Sequence, residues 1–168
     1  MYIIYPGIPD RFKSVTCEKV LMKLTLNLSK YKSFIIDLDG CVYRGKEPIK
    51  GAGEVISLLR KKGFKILFLT NNSTKTPEEY VKILKSMNIP VVNRDEILTS
   101  AVATARYLRD NYGKCKIFPI GMQGLIGALR EYNHQIVSEE SIDNADFVVV
   151  GLDMGFNYRK LALACRAI

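Results

Sequence analysis

The chain has 168 residues, of which 48% are hydrophobic and 25% are charged. This globular composition excludes disordered and low-complexity classes, and the sequence contains no run of about 18 apolar residues that would predict a membrane-spanning helix. The net charge of +8 by itself would suggest a nucleic-acid partner. However, half of this charge lies in residues 1–33, and the other basic residues are spread along the chain without clusters. We therefore expect no nucleic-acid partner and no membrane association.

The first thirty residues lack a regular period. Residues 20–28 partly alternate between apolar and polar, which favours an edge strand, and Met22 is an alternative start to Met1. The apolar residues before Pro6 are too few for a signal peptide, so we expect a cytoplasmic protein. We interpret residues 1–32 as an N-terminal extension.

From Ser33 onward, short apolar runs alternate with amphipathic segments. Continuous apolar runs predict strands buried on both faces of a parallel sheet, at residues 34–36, 65–69, 97–99, 116–120 and 147–150. Helical spacing predicts helices over residues 52–62, 76–87, 101–112, 123–132 and 158–168. Thr76 and Glu79 fit a capping box, and Ser100 is the expected N-cap of the third helix. Alternating strands and helices predict an α/β fold with a mainly parallel sheet.

Two carboxylates follow the first predicted strand. Asp37 and Asp39 are one residue apart in Phe34-Ile35-Ile36-Asp37-Leu38-Asp39-Gly40. Ligands of open α/β sheets bind at the carboxyl ends of the strands, and an oxygen-seeking cation such as Mg²⁺ relieves the repulsion between two such carboxylates. The alternative is an Asx-turn in which the carboxylates cap backbone N–H groups.

Polar residues also follow the second predicted strand. Thr70, Asn71 and Asn72 precede Ser73, and a hydroxyl, two amides and free backbone N–H groups there would form a neutral cradle for an oxyanion. The alternative is a polar loop that leads to the Thr76 cap. Because the two strand ends share one edge of the sheet, we expect both sets to form one site.

The remaining motifs do not indicate a metal, redox or dinucleotide site. The four cysteines and the single histidine, His134, lack metal-ligand spacing. We expect the cysteines to be small buried hydrophobes and His134 to be a solvated loop residue. Gly121, Gly124 and Gly127 follow a strand, but their spacing lacks the tight first turn of a dinucleotide fingerprint and predicts helix packing.

The ordered set of motifs resembles the haloacid dehalogenase-like phosphatases, and within them the group of nitrophenylphosphatases and N-acetylglucosamine-operon phosphatases. The matching segments are Phe34–Gly45, Ile49–Ala52, Leu69–Ser73, Leu98–Ala101 and Asp146–Asp153. The resemblance implies a Rossmann-like parallel catalytic core followed by an α/β cap. On this scheme residues 33–100 form the N-terminal part of the core, and residues 101–168 form part of the cap.

The resemblance also assigns roles. Asp37 is expected to be the nucleophile and Asp39 the general acid and base, in an apolar or flap-covered setting that keeps its proton near neutral pH. Both would hold Mg²⁺, and Thr70, Asn71 and Asn72 would bind the phosphoryl oxygens of a small phosphorylated metabolite. Residues 41–44 would lie in a flap over the site. Asp153, at the end of a predicted cap strand, is expected to lie in a surface turn.

Two elements of the family pattern are missing after Gly151. These are a lysine beyond the cap and a later acidic motif that completes the metal site. We interpret the chain as a fragment and expect little or no phosphatase activity from it alone. A homo-oligomer that covers the incomplete core is a further expectation.

Two other functions stay open. A non-catalytic remnant would bind a phosphorylated ligand or a partner protein without turnover. A phospho-accepting signalling domain would also place aspartates at strand ends, although usually on different strands.

Overall fold

The computed structural model describes residues 30–168. The predicted strand at residues 20–28, the alternative start at Met22 and Cys17 lie outside these residues. Within them, no helix combines the length and the hydropathy that a membrane span requires.

The described residues form eight strands and five α-helices in the predicted alternation. In chain order these are β1 (Ser33–Asp37), β2 (Tyr43–Arg44), β3 (Glu47–Pro48), α1 (Ala52–Lys61), β4 (Lys65–Thr70), α2 (Pro77–Ser86), β5 (Ile97–Thr99), α3 (Ser100–Tyr112), β6 (Lys116–Ile120), α4 (Gln123–Glu131), β7 (Gln135–Ile136), β8 (Phe147–Val150) and α5 (Tyr158–Ala167). Short 3₁₀ turns cover Arg94–Glu96 and Glu139–Asn144. The predicted α/β fold is confirmed.

The N-terminal sheet consists of β1, β4 and β5, which are parallel and lie in the order β1-β4-β5. Asp37 pairs with Leu69, and Thr70 pairs with Thr99, so all three strands end at one edge. Tyr43–Arg44 and Glu47–Pro48 form a separate antiparallel hairpin just beyond β1, where the flap is expected.

Only one face of the N-terminal sheet is fully buried among the described residues. Phe68 and Ile66 on this face pack with α1 and α2 in one apolar cluster. On the opposite face Ile35 is 68% exposed and Leu69 is 39% exposed. The expectation that β1 and β4 are buried on both faces is therefore wrong for residues 30–168, because α1 and α2 pack on one face, whereas on the other face α3 and α4 pack against Leu98 of β5 and leave Ile35 exposed.

The C-terminal sheet has the order β7-β6-β8, and all its strands are parallel. Alternate residues of β6 point to opposite sides of this sheet. Ile117 packs with α3 and α4, whereas Phe118 and Ile120 pack with Ile142 and with Ala164 of α5. Helices on both faces explain why the apolar run in β6 is continuous.

The helix ends follow the predicted caps with one difference. Thr76 and Glu79 form the expected capping box at the start of α2. For α3 the cap is Thr99, whose Oγ1 accepts a hydrogen bond from the Val102 N–H at 3.2 Å. The prediction of Ser100 as the cap is wrong by one residue, because Ser100 uses its hydroxyl for a contact described below.

His134 is buried, so the prediction that it is solvated is wrong. It is 5% exposed, its Nδ1 accepts a hydrogen bond from the Cys115 N–H at 3.3 Å, and its Nε2 lies 2.9 Å from the Ala105 carbonyl oxygen. The ring therefore joins α3 to the residue that precedes β6 by two hydrogen bonds. Cys115 is buried as expected, whereas Cys41 and Cys165 are exposed.

Candidate active site

Asp37 ends β1 beside the central strand of the N-terminal sheet. Its side chain is half-buried, and its Oδ1 accepts a hydrogen bond from the Leu38 N–H at 3.0 Å. The same N–H donates to the Leu69 carbonyl oxygen at 3.1 Å. The carboxylate is thus held at the strand end, and its second oxygen remains available for a ligand.

A tight turn places Asp39 beyond Asp37. Leu38 and Val42 are buried and anchor the turn, while Asp39 is exposed. Gly40 has φ of 83° and donates to the Tyr43 carbonyl oxygen at 2.7 Å, and a side chain would be strained in that conformation. The expectation of an apolar, covered setting for Asp39 is therefore not met among the described residues.

The polar residues after β4 form a loop that is held by its own side chains. Thr70 is buried, and its Oγ1 accepts a hydrogen bond from the Asn72 N–H at 3.2 Å. The Oδ1 of Asn72 accepts from both the N–H and the hydroxyl of Thr74, at 2.9 and 2.7 Å. The polar-loop alternative is thus partly realised here, while the Nδ2 of Asn72 takes no part in these bonds.

Two tyrosines, Tyr43 and Tyr80, lie close to the two aspartates and to Thr70. Burial raises the pKa of Tyr43 to about 12, with further contributions from Tyr80, Asp39 and Asp37. Burial also raises the pKa of Tyr80, the nearby Thr70 hydroxyl lowers it, and the charge of Asp39 raises it again. The charge of Asp39 thus raises the pKa of both phenols, whereas Asp37 affects Tyr43 and Thr70 affects Tyr80.

The oxygen ligands at this edge fit a small divalent cation in part. Carboxylates and carbonyl oxygens are the ligands that Mg²⁺ prefers, and Mg²⁺ retains several waters. Asp37 offers a carboxylate oxygen, and the Asp39 carbonyl oxygen takes no part in the hydrogen bonds of the turn, which end on Leu38 and Tyr43. Among residues 30–168 no third acidic, cysteine or histidine ligand joins these two.

Other candidate residues lie in structural roles. Asp153 accepts hydrogen bonds from the Gly155 N–H at 2.8 Å and from Lys160 Nζ at 2.6 Å. It thus lies in a turn, but its side chain is only 6% exposed, so the surface position expected for it is not found. Lys160 follows Gly151 in the sequence, but this ion pair occupies it. Burial and the charge of Asp37 raise the pKa of the Cys41 thiol, which disfavours a reactive thiolate.

Two serines, Ser73 and Ser100, form hydrogen bonds at the site that the sequence did not predict. The Ser100 hydroxyl donates to the Asn71 carbonyl oxygen at 2.7 Å. The buried Ser73 hydroxyl accepts from the Leu152 N–H at 3.1 Å. Ser73 stood within the quoted motif, but its partner is 79 positions away, and a single sequence does not reveal such a pairing.

Surface grooves elsewhere do not include the two aspartates. One groove, of about 590 Å³, is lined by residues of β3, α1 and the segment after α2. Another, of about 550 Å³, lies between the N-terminal sheet and residues of α3 and Tyr132.

Comparison with known proteins agrees with this geometry. Residues 34–135 match the family model described as haloacid dehalogenase-like hydrolase. An acid sugar phosphatase from Staphylococcus haemolyticus is 41% identical over 141 residues, which cover 84% of this chain and 52% of that protein.

Solved structures with the same fold carry related names. A putative p-nitrophenyl phosphatase from Bacillus subtilis superimposes with a TM-score of 0.72 and 37% sequence identity, and the match covers 82% of this chain and 51% of that structure's chain. A 4-nitrophenylphosphatase from Thermotoga maritima has a TM-score of 0.75 and 34% identity, with 83% and 51% covered. The chain spans about half the length of each of these relatives.

Proposed function

Because the chain belongs to the haloacid dehalogenase-like hydrolases, we propose that its strand-end site serves the hydrolysis of phosphomonoesters. The observation that supports this most is the pairing of β1 with β4, which sets the Asp37 carboxylate beside the Thr70 loop at one edge. A nucleophile and neutral hydrogen-bond donors are the groups that a phosphoryl transfer site needs.

Asp37 is the proposed nucleophile. Its free carboxylate oxygen forms a bond to phosphorus while the bond from phosphorus to the leaving oxygen breaks. Asp39 gives its proton to that oxygen, then takes a proton from the water that attacks the aspartyl-phosphate and releases Asp37. The exposed position of Asp39 leaves it free to reach the leaving group.

The neutral residues bind the phosphoryl oxygens in this proposal. Thr70, Asn71 and Asn72 offer a hydroxyl, two amides and backbone N–H groups, without adding a charge that would repel the phosphate. Asp37 and the Asp39 carbonyl oxygen would hold Mg²⁺, which neutralises charge between the carboxylate and the phosphate when it is bound. Both assignments rest on the chemistry of these groups and on the family.

The substrate is proposed to be a small phosphorylated metabolite. Relatives are named acid sugar phosphatase and putative p-nitrophenyl phosphatase, and both names describe enzymes that act on small phosphate esters. The division into a core at residues 33–100 and a partial cap at residues 101–168 also stays a prediction, as do a cytoplasmic location and a homo-oligomer.

Beryllium fluoride tests the proposed nucleophile, since it binds a free carboxylate as a phosphoryl mimic. With MgCl₂, the 168-residue chain should give a bound ¹⁹F resonance that disappears in Asp37→Asn and after addition of EDTA. Asp110→Asn is the matched control, because the Asp110 side chain is 61% exposed on α3, and it should retain the resonance. A bound resonance that persists in Asp37→Asn would contradict the assignment.

Hydrolysis of p-nitrophenyl phosphate separates catalysis from mere binding. We expect little or no hydrolysis by the 168-residue chain alone, because its sequence contains neither the lysine nor the later acidic motif of the family. Whatever Mg²⁺-dependent rate is found should fall about 10²- to 10⁴-fold in Asp39→Asn. Beryllium fluoride binding with no turnover at all would favour the non-catalytic alternative.

A further inference from the structure

The loop after β4 is held from the outside by three separate contacts. Ser100 Oγ, at the start of α3, donates to the Asn71 carbonyl oxygen at 2.7 Å. The Gly124 N–H, in α4, donates to the Thr74 carbonyl oxygen at 3.1 Å. The Leu152 N–H, just after β8, donates to Ser73 Oγ at 3.1 Å. Two of these donors belong to elements of the C-terminal sheet and its helices.

Two glycines allow this close approach. A Cβ at Gly124 would lie 2.6 Å from backbone atoms of Ser73 and Lys75, and a Cβ at Gly151 would lie 2.5 Å from Ser73 Oγ. At Gly124 these neighbours are backbone atoms, so any other residue would push the loop away. At Gly151 the nearest atom is the Ser73 hydroxyl, so a Cβ there would displace this hydroxyl from its position. The glycine-rich segment after β6 thus serves packing, as predicted, and the surface it packs against is this loop.

We propose that Ser73 is a positioning residue that makes the geometry of the phosphoryl-binding loop depend on the position of the C-terminal sheet. The Ser73 hydroxyl lies between Gly151 and the Leu152 N–H. Ser73 directly follows Asn72 in the sequence. A displacement of the end of β8 is therefore passed directly to the residues that would face the phosphoryl group. This inference rests on the proposed function of that loop.

The contacts distinguish this role from simple packing. Ser73 is 5% exposed, so water cannot readily take the place of the Leu152 N–H as the hydrogen-bond partner of its hydroxyl. The loop on either side is short, with Thr70 fixed in the sheet and Thr76 fixed as a helix cap. A shift of Ser73 therefore moves Asn71 and Asn72 rather than being absorbed along a flexible segment.

A double-mutant cycle with Ser73→Ala and Gly151→Ala tests the coupling. Titration calorimetry with inorganic phosphate in MgCl₂ should show affinity about fivefold to tenfold weaker in Ser73→Ala, the loss expected for one buried hydrogen bond. Gly151→Ala should weaken binding at least as much. The double variant should bind no more weakly than Gly151→Ala, because without the hydroxyl the nearest Ser73 atom to the new Cβ is 3.2 Å away.

Ser86→Ala is the control, since the Ser86 hydroxyl makes a comparable hydrogen bond to the Ile83 carbonyl oxygen on the exposed side of α2. Phosphate affinity unchanged in Ser73→Ala and Gly151→Ala, with only the free energy of unfolding reduced, would overturn the proposal. Strictly additive losses of affinity in the double variant would overturn it as well.

Hydrogen exchange keeps the two proposals apart. If the parent chain binds no phosphate, the proposed function fails, but the Asn72 and Thr74 amides still report on the loop because both donate to side chains within it. Faster exchange at these amides in Ser73→Ala and Gly151→Ala, but not in Ser86→Ala, would support the coupling. Unchanged exchange would overturn it.

Discussion

The Tyr80 hydroxyl is a buried polar group without a hydrogen-bond partner in the described residues. The side chain is 1% exposed, and its Oη has no partner at full hydrogen-bond geometry, although the Thr70 and Tyr43 hydroxyls lie near enough to lower its pKa. Leaving a hydroxyl buried in this way costs free energy of folding. The Tyr80 hydroxyl therefore reduces the folding stability of the chain at a position close to Asp39 and Thr70 of the candidate active site.

Replacing Tyr80 with Phe removes the unsatisfied hydroxyl and keeps the ring. We expect Tyr80→Phe to raise the free energy of unfolding by about 1 kcal/mol in a urea titration. Tyr107→Phe, at a residue 58% exposed, should change it by less than about 0.5 kcal/mol. A loss of stability in Tyr80→Phe would contradict this and would indicate a buried water bound to the hydroxyl.

Arg60 joins two elements that the sequence separates by 36 positions. Its Nη1 and Nη2 donate to the two carboxylate oxygens of Glu96 at 2.7 and 2.5 Å, and its Nε donates to the Pro90 carbonyl oxygen at 3.2 Å. Burial alone would raise the pKa of Glu96, but the hydrogen bonds from Arg60 and the Val92 N–H lower it overall. The end of α1 is thus tied to the turn that leads into β5.

Arg60→Ala leaves the partly buried Glu96 carboxylate without its main partner. We expect the free energy of unfolding to fall by about 2 kcal/mol, and Arg60→Lys to recover only part of this because an ammonium cannot form the paired contact. In the same urea titration, the control Arg106→Ala breaks an exposed pair with Asp110 and should cost less than about 0.5 kcal/mol. Equal effects of the two alanine variants would refute the role of Arg60 as a tie.

At the level of elements, the sequence predicts what local periodicity determines. The predicted bounds of α1, α3 and α5 agree with the structure to within one residue, because apolar spacing and caps such as Thr76 are local features. The burial of His134 was missed because its partners, Ala105 and Cys115, are brought to it only by the tertiary fold. The two-residue strand β7 was missed because it is too short to show a period.

For the whole molecule, the unequal burial of the two faces of the N-terminal sheet is the main departure from expectation. An apolar run such as 34–36 shows that a strand is suited to burial on both faces, but the run does not specify what covers each face. The strand-end rule, by contrast, predicted that Asp37 and Thr70 share one edge, and their positions in the register agree with it. The catalytic roles of these residues stay predictions.

The two faces should differ sharply in their tolerance of substitution. Ile66→Ala, on the buried face, should lower the free energy of unfolding by about 2–5 kcal/mol. Ile35→Ala, on the exposed face of the neighbouring strand, should change it by less than about 0.5 kcal/mol in the monomeric chain. Comparison of the two variants by urea denaturation checks this, and a large loss in Ile35→Ala would show that this face is covered in solution.

The bond between Ser73 and Leu152 also has a consequence for the order in which the chain is completed during synthesis. It closes a segment of 79 residues, and such distant contacts form late because the intervening chain must first be ordered. On the ribosome, β1 and β4 emerge and can pair long before residue 152 is made. The carboxylate edge is thus assembled early, and the loop beside it acquires its final anchor only when β8 has been translated and folded.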